Sequence, residues 1–176
     1  LPAVRTVQLL LPIAEALSLA HSRGVVHRDI KPDNIFIASQ GNALQPKLLD
    51  FGIAKVLSAS RECPTLSQSN TLLGSPEYMS PEQIQGQPDV DERLDIWAFC
   101  VVLYEMLAGY PPFRGESVTS VLRSVLQDTP AALETVVDID PALAAIVQSG
   151  LDKDRDARTA SIVALGRGLA CWLQSR

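Results

Sequence analysis

Cysteine is scarce in this chain, basic charge is not in excess, and no apolar run is long. Three cysteines in 176 residues (Cys63, Cys100 and Cys171) are odd in number and widely spaced. That pattern fits a reducing compartment better than a disulfide framework or a zinc site. The formal charge of -5 provides no basic field to neutralise phosphates, so a general nucleic-acid binder is not expected. The charge-free apolar run in the middle, Ile96 to Tyr104, is too short to span a bilayer and reads as a buried helix. No membrane segment and no signal peptide are expected. The Leu-rich start carries Pro2, Arg5 and Pro12 and lacks a small-residue cleavage site. Internal repeats and low-complexity tracts are also lacking. These absences point to a cytoplasmic chain.

What is present is ordinary for one globular domain: 47% hydrophobic and 20% charged residues. Residues 3–22 read as a well-buried helix closed by Gly24, and Val25-Val26 as a short strand. Ile35-Phe36-Ile37 and Lys47-Leu48-Leu49 read as a hairpin around Gln40-Gly41-Asn42. Within it, Ile35 and Ile37 are expected to point into the core. Residues 53–79 are a hydroxyl-rich segment of low periodicity, of the length that is usually functional or disordered. A short helix follows over Pro81–Gln85, then an almost wholly apolar one over Glu92–Leu107, then helices near 116–127, 140–149 and 159–173. The expected fold class is mainly α with a small β-hairpin at one edge.

The charged groups fall in an ordered series. His27-Arg28-Asp29-Ile30-Lys31-Pro32-Asp33-Asn34 is followed by Asp50-Phe51-Gly52, then by Gly74-Ser75-Pro76-Glu77-Tyr78-Met79 and Ser80-Pro81-Glu82. Any one of these Asp or Lys residues alone would be a solvated loop charge. Together, hard oxygen groups and a lysine at these spacings suit metal-assisted phosphoryl transfer, in which a metal is held, a hydroxyl oriented and phosphoryl charge neutralised.

The series resembles the catalytic half of eukaryotic-type serine/threonine protein kinases, in their bacterial style. The resemblance covers essentially the whole chain as the C-terminal, larger lobe of that fold. It implies a partial kinase domain over 1–176, with a catalytic loop at 27–34, an activation segment at 50–82 and C-terminal helices at 91–173. The activity it implies is transfer of the ATP γ-phosphate to Ser or Thr hydroxyls of protein substrates, with Mg²⁺ or Mn²⁺ as the metal.

By the same resemblance Asp29 is the catalytic aspartate and Lys31 reaches the γ-phosphate, lysine at that place being the pattern of Ser/Thr-directed members. Asn34 and Asp50 hold metal, and Asp33 and Asn34 belong with Lys31 and Asp50 to the nucleotide site. Phe36 suits either a strand core position or an apolar floor under adenine. His27 and Phe51 match parts of an internal hydrophobic column. Asp95 reads either as a helix N-terminal anion or, by the resemblance, as the acceptor that holds the His-Arg-Asp turn. Glu82 and Arg158 match a buried ion pair. Ser75 matches the hydroxyl residue of the acceptor site. Arg28 matches an arginine that pairs with an activation-loop phosphate, for which Ser67, Ser69 and Thr71 are the candidate carriers. Cys100 stands where the family usually has Gly, and Arg155 where Pro is frequent.

The family's Gly-rich loop, strand lysine and adenine hinge precede the catalytic loop, and no counterpart stands before His27. The missing N-terminal lobe is therefore an expected partner, and the chain, beginning at Leu1, is expected to belong to a longer frame. Alone it should bind nucleotide weakly and transfer little phosphate. Membrane tethering through flanking segments is compatible with this. The alternative is an inactive truncated lobe that serves as a protein-binding module. A small-molecule phosphotransferase is disfavoured by the activation segment, which builds a peptide-docking surface.

Overall fold

A computed structural model describes residues 1–41, 43–50 and 75–176. Among them are seven α-helices and one two-stranded antiparallel sheet. The first helix, α1 (Ala3–His21), buries Val7, Leu10, Ile13 and Leu17, whose spacing keeps them on one stripe. It is long and apolar enough to cross a membrane by length and composition, yet that stripe lies in the protein core. Its C-terminus is a Schellman turn. Gly24 sits at φ 71°, its N–H bonds His21 O, and the Val25 N–H bonds Ala20 O at 3.0 Å.

Residues 25–30 then run as extended chain with no strand assigned among the described residues, so Val25-Val26 does not form the described strand that its β-branched pair predicts. This stretch is held by side chains instead, as described below. Strands β1 (Ile35–Gln40) and β2 (Ala43–Leu48) pair with Ile35 opposite Leu48 and Phe36 opposite Lys47. Ile35 and Leu48 pack against the core, and Ile37 shares their face but is 39% exposed rather than part of the core as expected. The hairpin lies against α1 at one edge of the molecule, with no second sheet over its other face among the described residues.

Helix α2 (Pro81–Ile84) is a single turn closed by a capping box between Ser80 and Gln83. Helix α3 (Arg93–Ala108) is the central element. Almost every side chain from Leu94 to Tyr104 is buried, because other elements pack around it on nearly all sides. It ends at Gly109, at φ 86°, where a side chain would be strained. Around it stand α4 (Val118–Gln127), the short α5 (Leu133–Val136), α6 (Pro141–Gly150) and α7 (Ile162–Gln174). Ser117, Asp140 and Ser161 cap α4, α6 and α7 with side-chain oxygens. The sequence gives no periodic signal for α5, one turn in length. The core between α1, α3, α6 and α7 fixes the floor on which residues 27–34 rest.

Candidate functional site

Asp95, in the first turn of α3, is fully buried. A carboxylate there needs several donors to offset lost hydration. It accepts the His27 N–H on Oδ2 and the Arg28 N–H on Oδ1, both at 2.8 Å. A third donor is His21 at the end of α1, whose Nε2 lies 2.8 Å from Oδ2. One acidic side chain thus takes the place of a ladder partner for the turn. Arg28 is held at φ 68°, in the left-handed region that side chains other than glycine rarely adopt.

His27 links this turn to the end of the hairpin. Its Nε2–H donates to the Leu49 carbonyl at 3.0 Å, and its Nδ1 accepts the Asp29 N–H at 3.3 Å. The two contacts together select the tautomer with hydrogen on Nε2. The Leu49 N–H in turn donates to Asn34 O at 2.8 Å. The residue before Asp50 is therefore bonded through its N–H and its C=O to two residues of the 27–34 loop. Asp50 follows at once, at φ 48° and exposed.

Inside the loop, Asn34 spends its amide hydrogens on Asp29, donating from Nδ2 to the backbone O at 2.7 Å and to Oδ2 at 3.1 Å. Lys31 Nζ lies 3.1 Å from the same Oδ2. Asp29 and Lys31 are both partly exposed, open to a substrate yet restrained. Among the described residues no group of three His, Cys, Asp or Glu side chains stands together as a metal cage. A nucleotide-bound Mg²⁺ needs none, since it keeps waters and takes one or two protein oxygens plus phosphates. The donor set fits that demand. With Nδ2 committed to Asp29, the Asn34 Oδ1 is the amide oxygen left to coordinate, and Asp50 adds a hard carboxylate at the same hairpin end.

The matching family is the protein kinase domain, over residues 3–166. The chain belongs to the protein kinase family. Relatives of this kinase chain include the probable serine/threonine-protein kinase PknB of Corynebacterium glutamicum, 38% identical over 83% of the chain and 22% of that protein. Serine/threonine-protein kinase Pkn1 of Myxococcus xanthus is 39% identical over 96% of the chain and 24% of that protein. Serine/threonine-protein kinase PknB of Mycolicibacterium smegmatis is 37% identical over 88% and 24%. The kinase chain thus spans roughly a quarter of the length of these relatives.

The remaining residues singled out in the sequence fall as follows. Glu82 and Arg158, 76 residues apart, form a bidentate pair at 2.7 and 3.1 Å, both buried. Burial raises the Glu82 pKa, but the hydrogen bonds and charge of Arg158 outweigh it and hold the carboxyl below its ordinary range. Arg158 also donates to Asp152 O and Arg93 O, and its guanidinium lies over the Trp97 ring. Ser75 is half-buried beside Arg28, Asp29 and Lys31, in a small cavity under the loop. Arg28 Nε is buried with no hydrogen-bond partner among the described residues. Asp33 is exposed, and Phe36 is 55% exposed on the hairpin. That exposure excludes the core reading for Phe36 within this chain. Phe51, Ser67, Ser69 and Thr71 lie outside the described residues, as does Cys63.

Three participants escape sequence reasoning: His21, the main chain of Leu49, and Gln83, whose Nε2 reaches Arg28 O at 3.3 Å. Only the cap that Gln83 makes with Ser80 has a spacing signature; the contacts used here each act on a segment remote in sequence.

Proposed function

We propose that this chain carries the catalytic loop and metal ligands of a serine/threonine protein kinase, which transfers the ATP γ-phosphate to hydroxyls of protein substrates. The observation that supports it most is the double bonding of Leu49 to His27 and Asn34. It joins the Asp50 end of the hairpin to the loop that bears Asp29. Lys31, two residues after Asp29, and the names of the relatives both favour Ser/Thr acceptors over Tyr.

In this reading Asp29 orients the acceptor hydroxyl and takes its proton on the carboxylate. Asn34 and Lys31 hold its Oδ2 in place and restrain the side chain to one rotamer, which directs the proton to the other oxygen. Lys31 neutralises phosphoryl charge as a point cation. Asn34 Oδ1 and Asp50 would hold the metal, which would supply positive charge to offset that of the phosphates. Ser75 borders the acceptor site. Arg28, with its Nε unpartnered among the described residues, would receive a phosphate carried by Ser67, Ser69 or Thr71. Adenine would lie against Phe36 and the N-terminal lobe of the complete domain.

The test is phosphate transfer from labelled ATP to a generic basic protein by the full-length protein, beside its Asp29→Asn variant. The variant should lose at least about a hundredfold in kcat, the scale of general acid–base contributions. Full activity in the variant would remove Asp29 from the mechanism, and with it this reading.

A further inference from the structure

We infer that Gln83 is a positioning residue for phosphoryl transfer, tying the helix that ends the activation segment to the peptide bond in front of Asp29. The inference rests on the kinase reading above and adds a residue that no motif assigns.

The side chain of Gln83 makes contacts of two kinds. Its Oε1 accepts the Ser80 N–H at 3.0 Å and lies 3.2 Å from the Ser80 hydroxyl, completing the capping box of α2. Its Nε2 donates to Arg28 O at 3.3 Å, across 55 residues of sequence. The chemistry fixes the amide orientation. Flipped, the NH₂ would face the Ser80 N–H and the oxygen would face the Arg28 carbonyl, two like pairs at once.

The acceptor is what gives this bond its meaning. The Arg28 carbonyl belongs to the peptide unit whose N–H is that of Asp29, and that N–H is bonded to His27 Nδ1 at 3.3 Å. The preceding N–H, of Arg28, is bonded to Asp95. The left-handed turn at Arg28 is thus gripped on three sides, by Asp95, His27 and Gln83. Two of these grips come from α3 and from the loop itself. Among the described residues, Gln83 is the one that brings in the activation segment. Its neighbour Glu82 is locked to Arg158, so α2 is a fixed post. A capping role alone requires none of the contact with Arg28.

Gln83→Glu separates the two roles. Glutamate is the other residue of the Ser-x-x-Glu/Gln capping box, so the cap survives while the donor to Arg28 O is replaced by an acceptor. Gln83→Met removes both contacts. In the full-length protein, Gln83→Glu should lose less Tm than Gln83→Met, keep KM for ATP within about twofold, and lower kcat by at least roughly five- to tenfold, the scale of one hydrogen bond. Amide exchange of peptides covering 27–31 should quicken by a similar factor. Wild-type kcat in Gln83→Glu overturns the inference, as does reduced kcat with unaltered exchange at 27–31. A Tm loss in Gln83→Glu equal to that in Gln83→Met also overturns it, since the residue is then only a cap. Should wild-type protein transfer no phosphate, the kinase reading fails separately. The exchange comparison still decides the grip on Arg28, with unaltered exchange overturning it.

Discussion

Replacing Arg158 by Met tests the energetics of the buried pair that anchors α2. The guanidinium is fully buried and makes four hydrogen bonds, two to Glu82 and one each to Asp152 O and Arg93 O. Met keeps the apolar stem but leaves the Glu82 carboxylate without its counter-charge and two backbone carbonyls without a donor. Breaking a buried pair in this way costs about 3–5 kcal/mol. For a domain of this size each kcal/mol is worth roughly 2–4 °C, so Tm should fall by about 6–20 °C. Glu82→Gln is the milder change. It leaves a neutral amide that still accepts from Arg158, and the guanidinium keeps both carbonyls, so the loss should be about 1–2 kcal/mol. Urea unfolding followed by tryptophan fluorescence reads both, because Trp97 lies under the Arg158 guanidinium and Trp172 is also buried. Arg158→Met costing under about 1 kcal/mol, or Glu82→Gln costing as much as Arg158→Met, would refute the reasoning.

The same pair sets an acid limit on stability. Glu82 has a pKa below its ordinary value of 4.5, so the unfolded chain binds the proton first. Its contribution is complete above pH 4.5 and is lost as pH falls through the lower folded value; a pH series of urea midpoints, with Glu82→Gln flat in that window, checks it. Asp95→Asn should lower kcat by at least about tenfold in transfer assays, because one acceptor oxygen becomes a donor facing the backbone N–H of either His27 or Arg28. Burial pushes the Cys100 thiol up to about 12, so alkylation at pH 8 should label exposed Cys171 and reach Cys100 only on unfolding, as peptide mass mapping would report. Gly150→Ala should destabilise by about 1–3 kcal/mol, because a Cβ there collides with Cys100 Sγ, and Cys100→Gly in the same chain should restore most of the loss in urea unfolding.

Much of this architecture is written locally. The apolar stripe of α1, the unbroken apolar run of α3 and the capping serines each act within a few residues, and the helices form where those signals lie. The charged series of 27–34 and 50–52 stands out in the sequence because its residue types fall together at short spacing. What the sequence hides is contact between distant segments. Val25-Val26 has strand composition, but β1 pairs only with β2 among the described strands, and the chain beyond it is held by Asp95. Ile37 lies on the face of the hairpin that Ile35, Leu48 and Pro46 turn inward, yet toward the hairpin tip that face is incompletely covered and Ile37 stays 39% exposed. The reach of His21 to Asp95 spans 74 residues and that of Gln83 to Arg28 spans 55, and no periodicity records either.

The left-handed backbone at Arg28 and Asp50 has a kinetic corollary. Each such residue costs of order 1 kcal/mol relative to a relaxed conformation, and only its surrounding bonds keep it there. A brief lapse at His27 would loosen both, since its ring bonds Leu49 O beside Asp50 and the Asp29 N–H beside Arg28, whereas a lapse at Asp95 would loosen the Arg28 turn. Local opening of this part should therefore outpace global unfolding by orders of magnitude. Asp29 and Asp50 would loosen together, long before the hydrophobic centre does.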